Sequence, residues 1–206
     1  MPSETRPTLV VVGPPGAGKT TVGRVLARRL GVGFADADAL IEERTGKSIP
    51  DLFVEDGEEG FRRIEREVVA EALRTHDGVL ALGGGAVLSE QTRAQLREHR
   101  VVYLSVGLAD GLRRTGMSTA RPLLSGVNPR ATFKALLDAR APLYKEVATV
   151  QVATDRCSPN QVARAVLEAL GEAPASAPDD PVDPDDPLDR PTPHGGAPLP
   201  DPTVRA

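Results

Sequence analysis

The architecture of this 206-residue chain can be read from residues 9–30, LVVVGPPGAGKTTVGRVLARRL. Its first four residues are an apolar, mostly β-branched run, which predicts a buried strand. Residues 13–20 match the pattern GxxxxGK[ST], a loop whose backbone N–H groups surround phosphate oxygens. Apolar residues then recur at helical spacing from Thr20 to Leu30. The loop therefore stands at a helix N-terminus, where free N–H groups and the helix dipole favour an anion.

Two side chains of this loop carry chemistry of their own. Lys19 can reach the β- and γ-phosphates of a nucleotide, and the hydroxyl of Thr20 can ligate Mg²⁺. The alternative is a chance cluster of glycines in a turn. We favour the phosphate site, because strand, loop and helix follow one another in the order that the motif requires.

The composition predicts one globular domain, since 40% of the residues are hydrophobic. The single cysteine, Cys157, excludes an intrachain disulfide. No segment resembles a signal peptide, and none approaches the ~20 apolar residues that cross a bilayer. We expect a soluble cytoplasmic protein that binds neither membrane nor nucleic acid, and we expect a monomer.

The last 36 residues differ in composition from the rest. Residues 171–206 hold ten of the 19 prolines, and their eight acidic and two basic side chains give a net charge of −6. The whole chain carries −4, so residues 1–170 carry about +2. Such a segment has too little apolar surface to offset its ordering entropy. We expect residues 172–206 to be a disordered, solvated tail, with a docking role as the less favoured alternative.

Short apolar runs alternate with helical patterns along the domain. The predicted strands are 9–12, 32–36, 79–82, 101–104 and 149–152. The predicted helices are 20–30, 39–45, 49–74 with an interruption near Asp56-Gly57, 89–98, 108–115, 131–144 with a break near Pro142, and 159–170. Ser89 is the favoured cap of the fourth helix and Thr92 its rival, and residues 116–130 predict a mobile loop. This alternation predicts an α/β fold with a parallel sheet covered on both faces.

Two acidic residues follow the second strand, where ligands of such sheets bind. Asp36 and Asp38 are two residues apart, so near a strand end they point the same way. Asp36 would hold Mg²⁺ beside Thr20, and Asp38 would accept a hydrogen bond or a proton from an attacking hydroxyl. The alternative for Asp38 is that it caps the following helix.

A triple glycine and three arginines complete the candidate site. Residues 83–85 follow the third strand and allow a ligand to approach the backbone, although a flexible turn is the alternative. Arg62 stands three residues before Glu65, which can hold its side chain in place. Arg121 and Arg140 are further candidates, because arginine binds carboxylate or phosphate with two parallel hydrogen bonds. Judged singly, each arginine is better interpreted as a solvated surface charge, and the spacing alone does not change that.

Six motifs together resemble shikimate kinase, in the family's order and spacing, over about residues 8–170. They are GPPGAGKTTVGRVLA (13–27), FADADALIE (34–42), FRRIE (61–65), LALGGGAV (80–87), RPLL (121–124) and ARAPLY (139–144). The resemblance implies a P-loop kinase domain over 1–171, built as three α/β/α layers around a five-stranded parallel sheet with a mobile lid. It implies transfer of the ATP γ-phosphoryl group to the 3-hydroxyl of shikimate, on the route to aromatic amino acids.

The resemblance also assigns roles to residues of this chain. It implies ATP-binding by Gly16, Ala17, Gly18, Lys19, Thr20, Thr21, Arg114, Arg121 and Pro159, and Mg²⁺-binding by Thr20 and Asp36. It implies shikimate-binding by Asp38, Arg62, Gly83, Gly84, Gly85 and Arg140. Asp38, Lys19 and Arg121 are the expected catalytic residues, with Arg121 in the lid.

Other interpretations remain open on the sequence alone. Cys157 stands where many relatives carry arginine or a polar side chain, which leaves a nucleotide contact there undecided. A related kinase acting on gluconate or a nucleoside monophosphate is one alternative, and a non-catalytic nucleotide-binding scaffold is another. His76, His99 and His194 fall outside every motif and are interpreted as surface residues.

Overall fold

All five strands of the computed structural model, which describes residues 7–115 and 128–172, run parallel in one sheet. They are β1 (Leu9–Val12), β2 (Phe34–Asp36), β3 (Val79–Ala81), β4 (Val101–Ser105) and β5 (Val150–Ala153). Their order across the sheet is β2-β3-β1-β4-β5. The predicted parallel α/β fold is confirmed, with strand ends one or two residues from their predicted positions.

Helices connect the strands within the described residues. They are α1 (Lys19–Leu30), α2 (Ala37–Thr45), α3 (Ile49–Glu55), α4 (Gly57–Thr75), α5 (Glu90–Leu96), α6 (Leu108–Thr115), α7 (Pro129–Val147) and α8 (Pro159–Ala169), with a short 3₁₀ turn over Ala86–Leu88. The predicted interruption at Asp56-Gly57 is confirmed as the junction of α3 and α4. None of these helices is long and apolar enough to cross a membrane.

The sheet lies between two helical layers, as β1 shows most directly. Successive residues of a strand face opposite sides of a sheet. Leu9 and Val11 pack in one apolar cluster with residues of α1 and α8, among them Leu26 and Val166. Val10 packs in a second cluster with residues of α4, α5 and α7. Both faces of β1 are therefore buried, which explains its uninterrupted apolar sequence.

The loops that follow β1, β2 and β3 lie at one edge of the sheet, where the strands end. Ala81 of β3 lies in register with Val11 on one side and with Asp36 on the other. The phosphate loop follows β1, and residues 83–85 follow β3. Ligands bind at this edge in open α/β sheets, so the topology brings the predicted site residues within reach of each other.

Helix α7 continues through Pro142, where a break was predicted, and that prediction is wrong. A proline inside a helix removes one hydrogen bond and costs about 3 kcal/mol. Phe133 lies before it and Tyr144 and Val147 lie after it, and all three are buried. Tertiary packing of both halves keeps the helix continuous, since most helix stability in proteins comes from such packing.

Several other boundaries also differ from the predictions. Residues 116–127, most of the predicted mobile loop, lie outside the described residues, but Arg130 at its end belongs to α7. Ser89 caps α5 by accepting the N–H of Thr92, as the favoured alternative predicted. His76 is half-buried, with Nε2 3.3 Å from the carbonyl oxygen of Val79.

The predicted tail begins at a residue that contacts the domain. Glu172 accepts a hydrogen bond from Nη1 of Arg100 at 2.6 Å. The rest of the predicted tail, residues 173–206, lies outside the described residues.

Candidate active site

The phosphate loop bends so that helix α1 begins directly after it. Gly16 and Gly18 adopt left-handed backbone angles, with φ of 77° and 82°, which residues other than glycine rarely adopt. Gly18 is the N-cap of α1. Ala17 between them is fully buried. Helix α1 therefore begins with Lys19, Thr20 and Thr21. The N-terminus of a helix favours a bound anion.

Lys19 folds back over this loop. Its Nζ donates to the carbonyl oxygen of Pro14 at 3.2 Å. The ammonium group thus lies on the loop that would hold the phosphates. A phosphate oxygen is a charged acceptor and forms a stronger hydrogen bond with an ammonium than a neutral carbonyl does.

Asp36 joins the end of β2 to helix α1. Its Oδ2 accepts the hydroxyl of Thr20 at 2.7 Å, and its Oδ1 accepts the N–H of Asp38 at 3.0 Å. The second bond makes Asp36 the N-cap of α2. The helix cap is therefore Asp36 and not Asp38. Asp38 lies in the first turn of α2 rather than on the strand.

The hydroxyl of Thr20 and the carboxylate of Asp36 are oxygen donors of the kind that Mg²⁺ prefers. Mg²⁺ is usually bound by one or two carboxylates together with water and substrate phosphates, so the pair fits it. No group of three or more His, Cys, Asp or Glu side chains that could hold a metal ion occurs in residues 7–115 and 128–172.

Arg62 is held between two glutamates of α4. Its Nη1 lies 2.6 Å from Glu65 Oε2, and its Nη2 lies 3.4 Å from Glu58 Oε1. The side chain of Glu65 is only 4% exposed, whereas that of Glu58 is 53% exposed. Burial raises the pKa of Glu65 above its ordinary value, and the adjacent Arg62 opposes that rise. The predicted support of Arg62 by Glu65 is thus present as a buried ion pair.

The triple-glycine loop lies against the acidic and basic side chains of the site. A Cβ atom added at Gly83 would be 2.9 Å from Asp38 Oδ1 and 2.8 Å from Glu65 Oε1. One added at Gly85 would overlap the guanidinium of Arg62. A side chain at either position would displace these groups, so glycine permits the close approach.

Arg140 reaches the same loop from α7. Its Nη1 donates to the carbonyl oxygen of Gly84 at 3.0 Å, and the hydroxyl of Tyr144 donates to the same oxygen at 2.6 Å. The charge of Arg140 also acts on Glu65. A Cβ atom at Gly84 would be 3.2 Å from Pro15 Cδ, which places this loop directly beside the phosphate loop.

Arg114 connects the phosphate loop to the loop between β5 and α8. Its Nη1 donates to the carbonyl oxygen of Gly16 at 3.2 Å and to Thr154 Oγ1 at 3.0 Å. Its Nη2 donates to the carbonyl oxygen of Thr154 at 2.7 Å. Pro159 is the first residue of α8, just after this loop. Arg114 on α6 is therefore bonded to the loop that leads into Pro159 on α8, and these are two of the residues that the resemblance assigns to ATP.

The loop between β5 and α8 is also bound to α6 by Asp110. The N–H of Arg156 donates to Asp110 Oδ2 at 3.0 Å, and this bond, followed by the Arg113 side chain, holds the pKa of Asp110 below its ordinary value. Arg156 has a left-handed φ of 54°. Cys157 is exposed.

The described residues therefore bring together most of the predicted site, while Arg121 lies outside them. Sequence reasoning missed Tyr144, Thr154 and Asp110. Tyr144 carried a signal, because it stands four residues after Arg140 and so on the same side of a helix. Asp110 also carried a local signal, because Arg113 and Arg114 follow it at helical spacing. Thr154 carried none, since its side-chain partners are distant in the sequence.

Comparison with known proteins identifies the family of this site. The family model described as shikimate kinase matches residues 15–171. A shikimate kinase of Saccharopolyspora erythraea is 64% identical over 164 residues, covering 80% of this chain and 94% of that protein. One of Thermobifida fusca is 59% identical over 169 residues, covering 82% and 98%.

A solved structure agrees with these sequence matches. The shikimate kinase of Acinetobacter baumannii, in complex with shikimate, superposes with a TM-score of 0.78 at 42% identity. The match covers 81% of this chain and 94% of that one. With the phosphate loop, the acidic pair and the triple-glycine loop at one edge of the sheet, the chain belongs to the shikimate kinase family.

Proposed function

We propose that this member of the shikimate kinase family carries out its reaction, the ATP-dependent phosphorylation of shikimate, with the residues that meet at the triple-glycine loop. The observation that carries the proposal is the position of Gly84. It accepts a hydrogen bond from Arg140 and lies against Pro15 of the phosphate loop. A carboxylate clamp and a phosphate site are therefore adjacent, as transfer between two bound substrates requires.

The nucleotide is bound by loop backbone and a few charged side chains. The N–H groups of residues 16–21 surround the phosphates, and Lys19 exchanges its bond to Pro14 for one to a phosphate oxygen. Arg114 and Pro159 flank the adenine ring. Arg121 supplies a further positive charge at the γ-phosphate, a role that rests on the resemblance alone.

Thr20 and Asp36 are the residues that would hold Mg²⁺. When bound, the ion neutralises charge on the phosphate oxygens. The hydrogen bond between these two side chains keeps both oxygens together at the N-terminus of α1.

The acceptor is bound through its carboxylate and its hydroxyls. Arg62 presents its guanidinium at Gly85 and Arg140 presents its own at Gly84, which also contributes a backbone contact. Planar guanidinium groups match carboxylates with paired hydrogen bonds. Gly83 leaves room for Asp38, which contacts the ring hydroxyls, and Gly85 leaves room for the guanidinium of Arg62.

The reaction moves one phosphoryl group between two oxygens. The oxygen of the shikimate 3-hydroxyl bonds to the γ-phosphorus, the bond from that phosphorus to the β–γ bridging oxygen breaks, and its electron pair leaves with ADP. The carboxylate of Asp38 accepts the hydroxyl proton. Lys19 and Arg121 stabilise the charge on the transferred group, since this chemistry depends mainly on positioning and electrostatics.

A coupled ADP-release assay with MgATP tests the proposal. Shikimate, quinate, gluconate and AMP are compared as acceptors against a reaction that has none. We expect turnover with shikimate, and the product's phosphate is located by NMR on the 3-oxygen.

Faster turnover with gluconate or AMP would overturn the acceptor assignment. ATP binding without turnover on any acceptor would overturn the catalytic assignment and favour a nucleotide-binding scaffold.

A further inference from the structure

Two donors on α7 share the carbonyl oxygen of Gly84. They are Nη1 of Arg140 at 3.0 Å and the hydroxyl of Tyr144 at 2.6 Å. A carbonyl oxygen has two lone pairs, so it can accept both bonds at once. Arg140 and Tyr144 are four residues apart on one helix, which places them one above the other.

The two donor side chains differ in how tightly packing holds them. Tyr144 is 1% exposed, and its ring stacks on that of Tyr103 with centroids 5.0 Å apart. Burial raises the pKa of the Tyr144 phenol well above its ordinary value, so the group stays a neutral donor. Arg140 is only half-buried and carries five N–H donors on a longer side chain. Packing thus fixes the hydroxyl on the carbonyl, whereas the half-buried Arg140, which also interacts with that hydroxyl, is less constrained by packing.

We propose that Tyr144 is a positioning residue for the acceptor: its hydroxyl bonds the carbonyl of Gly84 and so leaves Arg140 able to turn to the acceptor's carboxylate. The inference rests on the proposed role of Arg140. Without the hydroxyl, Arg140 is the one remaining side-chain donor to this oxygen among the described residues. The carboxylate then competes with the carbonyl for the guanidinium, because leaving a partly buried carbonyl unpaired costs free energy.

The same hydrogen bond orients the peptide group between Gly84 and Gly85. In a trans peptide the C=O and the following N–H point in opposite directions. The Tyr144 hydroxyl therefore also sets the direction of the Gly85 N–H. No backbone carbonyl of the described residues accepts the N–H of Gly84 or of Gly85.

The test is Tyr144→Phe, which removes the hydroxyl and keeps the stacked ring. The matched control is Tyr103→Phe, which removes the other hydroxyl of the stacked pair, one that does not bond Gly84. We expect Tyr144→Phe to raise the KM for shikimate about fivefold to tenfold, the value of one hydrogen bond. The KM for ATP does not change, and Tyr103→Phe changes neither KM.

This split between the two KM values separates positioning from a structural role. A structural loss would lower the melting temperature or the fraction of active enzyme and leave the ratio of the two KM values unchanged. An unchanged shikimate KM in Tyr144→Phe, or an equal rise in both KM values, overturns the inference. If Arg140→Ala also leaves the shikimate KM unchanged, the carboxylate role of Arg140 fails together with the inference. If only Tyr144→Phe lacks the effect, the inference alone fails.

Discussion

The proposed nucleotide side and the proposed acceptor side of this site are built differently. The proposed nucleotide side is mostly one continuous segment, residues 16–21, which lies at a helix N-terminus. The proposed acceptor side gathers single side chains from three helices, namely Asp38 on α2, Arg62 on α4 and Arg140 on α7. The first depends on local conformation, the second on tertiary contacts between distant residues.

The two sides also differ in how their cations are held. Arg62 is bound by a buried glutamate, and Arg140 is bound to the Gly84 carbonyl. Lys19 is bound to a carbonyl of its own loop. Holding Arg62 in place before a ligand arrives lowers the entropic cost of binding. We therefore expect substitutions on the acceptor side to change the KM for shikimate without changing the KM for ATP.

The largest expected effect separates chemistry from nucleotide binding. Asp38→Asn keeps the shape of the side chain and removes its basicity, so we expect kcat to fall about 10²- to 10⁴-fold. The KM for ATP should not change. Steady-state kinetics check this, with Glu43→Gln on the same helix as the matched control. A fully active Asp38→Asn enzyme would remove Asp38 from the mechanism.

Two arginine variants, one on each side of the site, test whether the two sides act separately. Arg140→Ala should raise the KM for shikimate by the equivalent of about 2–5 kcal/mol, because a desolvated ion pair loses one partner. That is about 30-fold to several thousand-fold. Arg114→Ala should instead raise the KM for ATP. Equal effects of either variant on both substrates would contradict the separation of the two sides.

A smaller, pH-dependent effect is expected at Glu65. Its raised pKa means that it becomes protonated, and loses its ion pair with Arg62, at a pH where an ordinary glutamate is still charged. The KM for shikimate should therefore rise several-fold as the pH falls through that range. Glu65→Gln should show a high KM with no such step, and Glu58→Gln should behave like the wild type.

The same pKa shift predicts the sign of a stability change. A carboxyl group whose pKa is raised by folding stabilises the protein at low pH, and this contribution is lost as pH rises through the folded-state pKa. The unfolding free energy of the wild type relative to Glu65→Gln should therefore decrease with rising pH. Urea denaturation at several pH values measures it, and an increase would contradict the burial of Glu65.

The smallest effect is expected from the acidic C-terminal segment. Deleting residues 173–206 should leave both KM values and the melting temperature unchanged. Deleting Glu172 as well removes its ion pair with Arg100 and should cost no more than about 1 kcal/mol, as exposed pairs do. A large loss in the shorter deletion would show that the segment packs on the domain.

Local patterns were enough to predict most of the fold. The phosphate loop, the break at Asp56-Gly57 and the cap at Ser89 each depend on neighbouring residues only, and all were predicted. The continuous helix through Pro142 was not predicted, because buried side chains on both sides of the proline outweigh its local cost.

The candidate site divides in the same way. Sequence alone was sufficient for the nucleotide loop and for the Arg62–Glu65 pair, since these contacts join residues a few positions apart. The sequence also placed Asp36 beside Thr20, and the structure adds their direct hydrogen bond. Only the tertiary structure showed that Tyr144 shares the Gly84 carbonyl with Arg140. Backbone geometry and helical spacing depend on neighbouring residues, so a short segment of sequence is enough to predict them. A contact between distant residues forms only when the strands align and the helices pack.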